Sequence, residues 1–564
     1  MKTWLQITLS SLFLIIITSF TYQSSLNNQL LTLWDDQGYI TLNEHIKVLN
    51  WDTVYWFFTH IQMHNWHPLT SITYAIDYQF WKLDAWGYHF TNLLLHNANV
   101  IWFFITAWVL FNIYQPKQQY NLLAAVFSAL LFAIHPQHIE SVAWISERKD
   151  VLFLFFIFPT LLAYIYYVRT QYYFYYFIAL ICFICALLSK PMAVTLPAVL
   201  ILIDIFPLQR TKLTKITLYA ASYKKILLEK LAFIFLSLST IIIALLAQRI
   251  GGEQAKQEQL FGNDDFQLAG GAIQSLEQFG IHERLLNAAS SLIHYMTKLF
   301  FPLQLSPYYN LPEQFSFIPA IIVSIITLLC VYLWFQKHYV WLIAWLFYVG
   351  TLMPVIGIVQ VGGQAAADRY AYFPLLAFYL ILGYLIAKYL FQHLNQKKYS
   401  YFVIISVCYI FIVYSLMALT QKQILVWHND YSLWKHVYLY DPKNSKAAVN
   451  LAILQERAGN NAAALHFYQA AIQAKPNLLL SYNYLAEFYV KHDKIDEALA
   501  IYEKMDEKGL IDEKGSVAKT YFNMAMLYLR QNQIDKAIAA AKKTLIREPN
   551  HEQAQAFLRD YVEE

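Results

Sequence analysis

A chain of 564 residues that is 58% hydrophobic and only 14% charged, with a mean hydropathy of +0.37, is too apolar to be one soluble domain. Its formal net charge of +4 comes from short connections between apolar runs and not from a basic stripe, so orientation in a membrane explains it and nucleic-acid binding does not. The charge is uneven: residues 441–564 hold 16 Lys and Arg and 17 Asp and Glu, which sets a soluble domain after a membrane part.

Apolar runs that match about 30 Å of hydrocarbon fall near 4–21, 91–113, 121–135, 150–168, 172–189, 192–207, 226–248, 317–336, 339–358, 371–390 and 400–420. The expected fold class is all-α: a polytopic bundle of about eleven transmembrane helices, then a soluble α-solenoid. The expected domains are a membrane part over 1–425, a linker over 426–440 and a repeat domain over 441–564. The first run follows Lys2 and lacks a small-residue cleavage site, so it reads as a retained anchor. Cys182, Cys185, Cys330 and Cys408 all lie inside apolar runs and read as packing residues.

With Lys2 on the cytoplasmic side, the even-numbered connections carry Lys117, Arg169, Arg210 and other cations but no acid, while the opposite side receives nearly all the acids. A positively charged short loop resists translocation. An odd number of spans then puts the C-terminal domain on the non-cytoplasmic side too, with the outward loops 22–90, 135–149 and 249–317.

In the first outward loop, Trp34-Asp35-Asp36 sets two carboxylates beside an indole. One acid could take a proton from an acceptor hydroxyl while aromatic faces hold a sugar; equally, one could cap a short helix. Neighbouring side chains point about 100° apart on a helix, so both roles fit, one carboxylate each. His67, and then His89, Asn92 and His96, bracket the end of the loop, as anion contacts or as helix-packing hydrogen bonders. The second loop runs from His135-Pro136-Gln137-His138-Ile139-Glu140 to Arg148-Lys149-Asp150. Two histidines and an acid could ligate a metal, but the spacing defines no coordination set. Arg148 and Lys149 start an apolar run at headgroup depth, where a lipid-linked phosphate or plain snorkelling would suit them. Lys190 and Arg369 enter spans from the outer side, where the charge bias disfavours cations; an anion for both, or pairing of Arg369 with Asp368, accounts for them. The fourth loop has a lid-like first half with Asn263-Asp264-Asp265, then helical periodicity from His282 to Phe301.

Asp441-Pro442 and Lys475-Pro476 stand 34 residues apart with Leu451/Leu485 and Ala464/Ala498 in register, and a third copy ends at Glu548-Pro549. This helix-turn-helix period is the tetratricopeptide signature, a docking surface for a protein partner that carries no chemistry itself.

Taken in order, Trp34-Asp35-Asp36, His67-Pro68-Leu69-Thr70, Gly87-Tyr88-His89 with Asn92 and His96, the 135–152 block, Ser189-Lys190 and the repeat tail resemble the TMTC family, membrane O-mannosyltransferases of the GT-C class. The resemblance implies inverting transfer from a polyprenyl-phosphate sugar to a hydroxyl of an acceptor protein or glycan, on the non-cytoplasmic face of a bacterial inner membrane. Asp35 or Asp36 would be the base and Glu140 a second acidic site residue. Lys190, Arg148, Lys149, Arg369 and His89 would meet the donor phosphate, and Trp34, His67, His135, His138 and Asn92 the sugar or acceptor. A divalent metal, if used, would fall to Asp36, His138 and Glu140. Family members in eukaryotes carry longer repeat arrays, so the acceptor stays open. The competing readings are a non-enzymatic scaffold docking exported proteins through its repeats, and a transporter using Asp204, Glu229 and Lys230.

Overall fold

The computed structural model describes residues 2–210, 220–260, 280–312, 314–358, 363–510 and 516–562; the Asn263-Asp264-Asp265 stretch expected in a lid lies outside them. The chain divides into two compact units, Met1–Arg249 with Gly271–Asn429, and Ile250–Gly270 with Asp430–Glu564.

The described residues of the first unit are mainly helical, with a two-stranded sheet of Tyr309–Asn310 antiparallel to Gln364–Ala366. Among the described residues, seven stretches are long and apolar enough to cross a membrane: Trp4–Asn27, Ala85–Tyr114, Ile145–Thr170, Lys224–Ile250, Ile318–Phe335, Leu376–Asn395 and Tyr399–Trp427. An eighth arises if Asn121–Ile134 and Pro136–Ala143, bent by 56°, count as one span. Pro136 explains the bend, since it has no N–H for the helical ladder and its ring crowds the preceding turn. His135 there is extended, and its Nδ1 accepts from the Gln137 N–H at 3.3 Å. Tyr173–Ser189, Pro191–Ile205 and Tyr339–Leu352 are apolar but shorter, and the expected eleven is reached only by adding them. Ile321, Ile325 and Leu328 on one helix, and Val407, Ile410 and Phe411 on another, stand exposed, as side chains facing hydrocarbon must.

The first loop folds into short helices, Trp51–Thr59 and Pro68–Trp81. Asn50 caps the first through the Thr53 N–H at 2.8 Å, and Pro68 opens the second, where its missing donor costs nothing. Trp51 and Tyr55 are exposed while Phe57 is buried with Tyr39, Ile40, Ile46, Tyr74, Tyr88 and Ile145. That cluster clamps the loop onto the turn at Ile145–Glu147, where the charged groups gather.

Of the stretch 426–440 expected as a linker, Asp430–Tyr440 is a helix of the second unit with Leu433, Trp434 and Val437 buried, packed on Ser445–Arg457. Its apolar spacing of three to four residues makes one buried helical face. Helices then pack in pairs of similar length: Ser445–Arg457 with Asn461–Ala474, Leu479–Lys491 with Ile495–Glu507, and Ser516–Arg530 with Ile534–Arg547. Ala452, Ala486 and Ala525, and likewise Ala464, Ala498 and Ala537, are completely buried. Their small side chains permit close helix contact at equivalent places in each pair.

Helix Leu376–Asn395 lies against Asn121–Ile134 with Gly383 at the closest approach. A Cβ there would sit 2.5 Å from the Ser128 amide nitrogen and 2.8 Å from the Ala124 carbonyl oxygen. Gly383→Ala is therefore expected to destabilise the bundle by roughly 1–3 kcal/mol, read as a lower melting temperature in detergent. Gly350→Ala, with nothing within 4 Å of the added carbon, is the control and should leave melting unchanged or slightly raised.

Candidate active site

Six charged groups from distant parts of the chain meet at one place. Glu147 is the hub: Lys149 Nζ lies 3.1 Å and Arg369 Nε 3.2 Å from its Oε1, and Lys190 Nζ lies 3.5 Å from its Oε2. Lys190 also pairs with Asp150, and Arg369 with Glu140, whose Oε2 accepts the Arg369 N–H at 3.0 Å. Asp150 takes a further bond from the Ser141 hydroxyl at 3.0 Å. Three carboxylates thus face three cations, and all six are largely buried. Aromatic faces line the cations: Lys149 over Tyr39, Lys190 over Tyr370, and Arg369 over both Tyr370 and Trp144.

The first loop is bolted to this cluster by Asp36. Its Oδ2 accepts the Leu31 N–H and its Oδ1 the Ser146 N–H, both at 3.0 Å, with the Ser146 hydroxyl donating as well. This carboxylate is 1% exposed and its lone pairs are engaged. Asp35, one residue back, is only partly buried and acts electrostatically on Tyr39 and Lys149. Asp36 is thus a structural tie between loops, although its side chain caps no helix. Trp34 is buried with its ring edge-on to Trp144 at 5.3 Å, and Trp144 stacks on Trp427.

Other expected site residues sit elsewhere. Arg148 is fully buried, pairs with Asp77 at 2.5 Å, and donates to Asn92 Oδ1 and the Tyr88 carbonyl at 2.8 Å each. It is corrected from a phosphate contact to a brace, because the turn of about 100° per helical residue aims it away from Lys149. Asn92 is consumed by Arg148 and by the Trp144 carbonyl at 3.2 Å. His89 is buried beside Asn28 and Gln29. His135 Nε2 meets the Leu299 carbonyl at 3.0 Å, and His138 Nε2 meets the Tyr379 hydroxyl at 3.0 Å. His96 bridges the Tyr372 hydroxyl and the Ala133 carbonyl. These histidines pack helices, as their apolar surroundings favour. His67 is closer to the cluster: it bonds the Tyr39 hydroxyl at 3.1 Å, and burial pushes its imidazole down to about 3, so it stays neutral. Asp36, His138 and Glu140 are each bonded to different partners, and among the described residues no group of three or more His, Cys, Asp and Glu side chains could hold a metal. The suggested metal set does not fit.

Glu147 and Asp150 were missed as site residues. The signal was present in Glu147-Arg148-Lys149-Asp150, four consecutive charges at the mouth of a long apolar run. Arg369 pairs with Glu140 and Glu147, and not with Asp368, which faces His294 and Tyr309 instead.

No protein-family model matches the chain. Its sequence is similar to protein O-mannosyl-transferases: 32% identical over 164 residues to tmtc2 of Xenopus laevis, covering 28% of this chain and 19% of that protein. TMTC2 of Homo sapiens is 31% identical over 192 residues, 33% of this chain and 21% of that one. TMTC4 of Homo sapiens is 33% identical over 106 residues, 18% and 14% respectively. The chain thus matches about a fifth of the length of the first two relatives. The crystal structure of the Archaeoglobus fulgidus oligosaccharyltransferase in its apo form superposes with a TM-score of 0.37 at 12% identity, over 73% of this chain and 56% of that chain, too low a score to establish a common fold.

Burial pushes the Asp36 carboxyl from 3.8 up to about 7, outweighing the bonds from Ser146 and Leu31 that favour its charged form. A carboxyl raised on folding contributes stability that is complete below its unfolded value and lost as pH rises through the folded one. Asp36→Asn is therefore expected to remove part of the fall in melting temperature between pH 4 and pH 7. A thermal-shift series across that range checks it, and an unaltered slope would contradict the assignment.

Proposed function

We propose, from the similarity to TMTC protein O-mannosyl-transferases and the Glu147-centred cluster beside Asp35, that this integral membrane protein is a glycosyltransferase. The donor is a polyprenyl-phosphate sugar, with mannose the first to test given the relatives' names. The acceptor is a Ser or Thr hydroxyl of a protein, or a glycan hydroxyl. The acceptor oxygen attacks the anomeric carbon, the bond from that carbon to the phosphate oxygen breaks, and the phosphate leaves with the bonding pair. Attack from the face opposite the phosphate inverts the anomeric centre. Asp35, only partly buried and within electrostatic reach of Lys149, takes the hydroxyl proton. Lys190, Lys149 and Arg369 stabilise the charge that gathers on the leaving phosphate, a role suited to preorganised cations in a water-poor site. Glu140 holds Arg369 for that role.

Counting the seven long spans, the bent pair and the three shorter apolar helices gives eleven crossings. That number, with the acid-free even connections, supports a reading in which the reaction and the repeats face the non-cytoplasmic side of a bacterial inner membrane. The helix pairs of the second unit are tetratricopeptide repeats that recruit the acceptor or a partner protein. What carries the whole reading is one juxtaposition: Asp36 bonded to Ser146, with the next residue, Glu147, holding three cations.

The test is mass spectrometry of envelope glycoproteins and glycans from cells with and without the protein. Asp35→Asn is expected to cut transfer by on the order of 10² to 10⁴ while membrane insertion is unchanged; full activity in this variant would reject the base assignment. Removing residues 441–564 is expected to change which acceptors are modified while donor turnover persists. If that deletion removed all function and Asp35, Lys190 and Glu140 could be changed freely, the chain would be a docking scaffold.

A further inference from the structure

Tyr370 is a polar side chain of the charged cluster that the transfer chemistry above does not use. It lies in the 3₁₀ turn Asp368–Ala371, where its N–H donates to the Ala367 carbonyl at 3.0 Å. Such a turn has three residues per repeat, so residues i and i+3 share one side. Asp368 and Ala371 are the buried pair, and Arg369 and Tyr370 fall on the remaining sides. Direct contacts then fix where the phenol goes. The Arg369 guanidinium carbon lies 4.8 Å and Lys190 Nζ 5.8 Å from the centre of its ring, within the range of a cation–aromatic contact. Its hydroxyl is 3.5 Å from Arg369 Nη2.

The hydroxyl differs from its neighbours in what it has left to give. Lys190 is committed to Asp150 and Glu147, and Arg369 to Glu140 and Glu147. A phenol has one hydrogen to donate as well as lone pairs that accept. The Tyr370 oxygen accepts from Arg369, and among the described residues no group accepts its hydrogen. The side chain is half-buried, so that hydrogen can be offered to a molecule entering the cluster. Two hydrogen bonds of about 2.8 Å meeting on one oxygen reach across about 5 Å, more than the 3.5 Å between Nη2 and the hydroxyl. A single ligand oxygen can therefore take both bonds while a second oxygen of the same phosphate meets Lys190. The phenol also donates without a charge of its own, so it adds a bond without first shedding a carboxylate.

We infer that Tyr370 is a ligand of the donor phosphate: its hydroxyl donates to a phosphate oxygen shared with Arg369, and its ring holds Lys190 and Arg369 toward the same anion. This rests on the transferase reading for its ligand class, a phosphate carried on a lipid or free in solution. The bond strengthens as charge gathers on the departing phosphate. The tyrosine keeps its proton, and no covalent bond is made or broken in the contact.

The experiment measures binding to the full-length protein in phosphatidylcholine nanodiscs at one fixed pH. The probes, each used alone, are a polyprenyl phosphate, inorganic phosphate and an uncharged polyprenol. The proteins are wild type, Tyr370→Phe and Lys190→Gln, compared first by melting temperature without ligand. Tyr370→Phe keeps the ring and loses only the hydroxyl. It is expected to melt with the wild type and to bind polyprenyl phosphate about ten-fold more weakly, the loss for one hydrogen bond to a charged group, with polyprenol binding unchanged. An equal loss with inorganic phosphate would support the contact and show that the anion needs no lipid chain; a loss confined to polyprenyl phosphate would support it and assign it to the lipid-borne headgroup. An equal loss with polyprenol, or a lower melting temperature with all three probes weakened alike, would overturn it, because the hydroxyl would then serve the fold. Unchanged binding of polyprenyl phosphate by Tyr370→Phe, with Lys190→Gln weakened, overturns the role of Tyr370 alone. Unchanged binding in both variants, or none by the wild type, overturns the phosphate site of the transferase reading as well.

Discussion

Ionised groups taken out of water must find partners, and in this protein that requirement organises the site. Glu147 satisfies Lys149, Lys190 and Arg369 together, while Asp150 and Glu140 take the remaining capacity of Lys190 and Arg369. Removing one member of such a set leaves a buried charge uncompensated, which costs about 3–5 kcal/mol for a simple buried pair. The cluster is therefore a constraint on the fold as much as a piece of chemistry. It holds together the second loop, the turn before Pro191 and the segment leading into helix Leu376–Asn395. It also pairs three acidic with three basic side chains. A phosphate entering it would compete with carboxylates for the same cations, so binding would loosen the acids while gripping the anion.

The division of labour between adjacent residues follows from helix geometry. Arg148 and Lys149 are chemically similar and consecutive, yet one is spent on Asp77, Asn92 and Tyr88 while the other faces Glu147 and Tyr39. Asp35 and Asp36 divide in the same way. Asp36 caps Leu31 and captures Ser146, and so the loop that carries Asp35 is docked with its partly exposed carboxylate near Lys149. A transition state that gathers charge on phosphate gains from dipoles and cations fixed in advance, and this anchoring ties the long first loop to the cluster.

How much of this was legible without coordinates depends on the range of the interaction. Apolar runs are local signals, and among the described residues seven of them are helices long and apolar enough to cross a membrane, with three others shorter. Asp35, Lys149, Lys190, Glu140 and Arg369 stood out because a charge in a sparsely charged chain is conspicuous. Which of them would meet was not legible, since Glu140 and Arg369 are 229 residues apart. Arg148 was misjudged because its direction depends on the helix beginning at that residue. His135 and His138 read as possible ligands at a membrane boundary, but the bundle wraps around them and their bonds go to the Leu299 carbonyl and the Tyr379 hydroxyl. The linker at 426–440 was drawn where composition changes, whereas Leu433, Trp434 and Val437 make one buried helical face.

The account turns on phosphate being gripped at the Glu147 cluster with Asp35 beside the sugar. A cryo-electron microscopy structure of the full chain in nanodiscs with a polyprenyl-phosphate mannose would test this directly. The account predicts phosphate density within hydrogen-bond distance of Lys190 and Arg369, and the sugar ring between that phosphate and the Asp35 carboxylate. A headgroup bound elsewhere in the bundle, with the Glu147 ion pairs undisturbed, would contradict it.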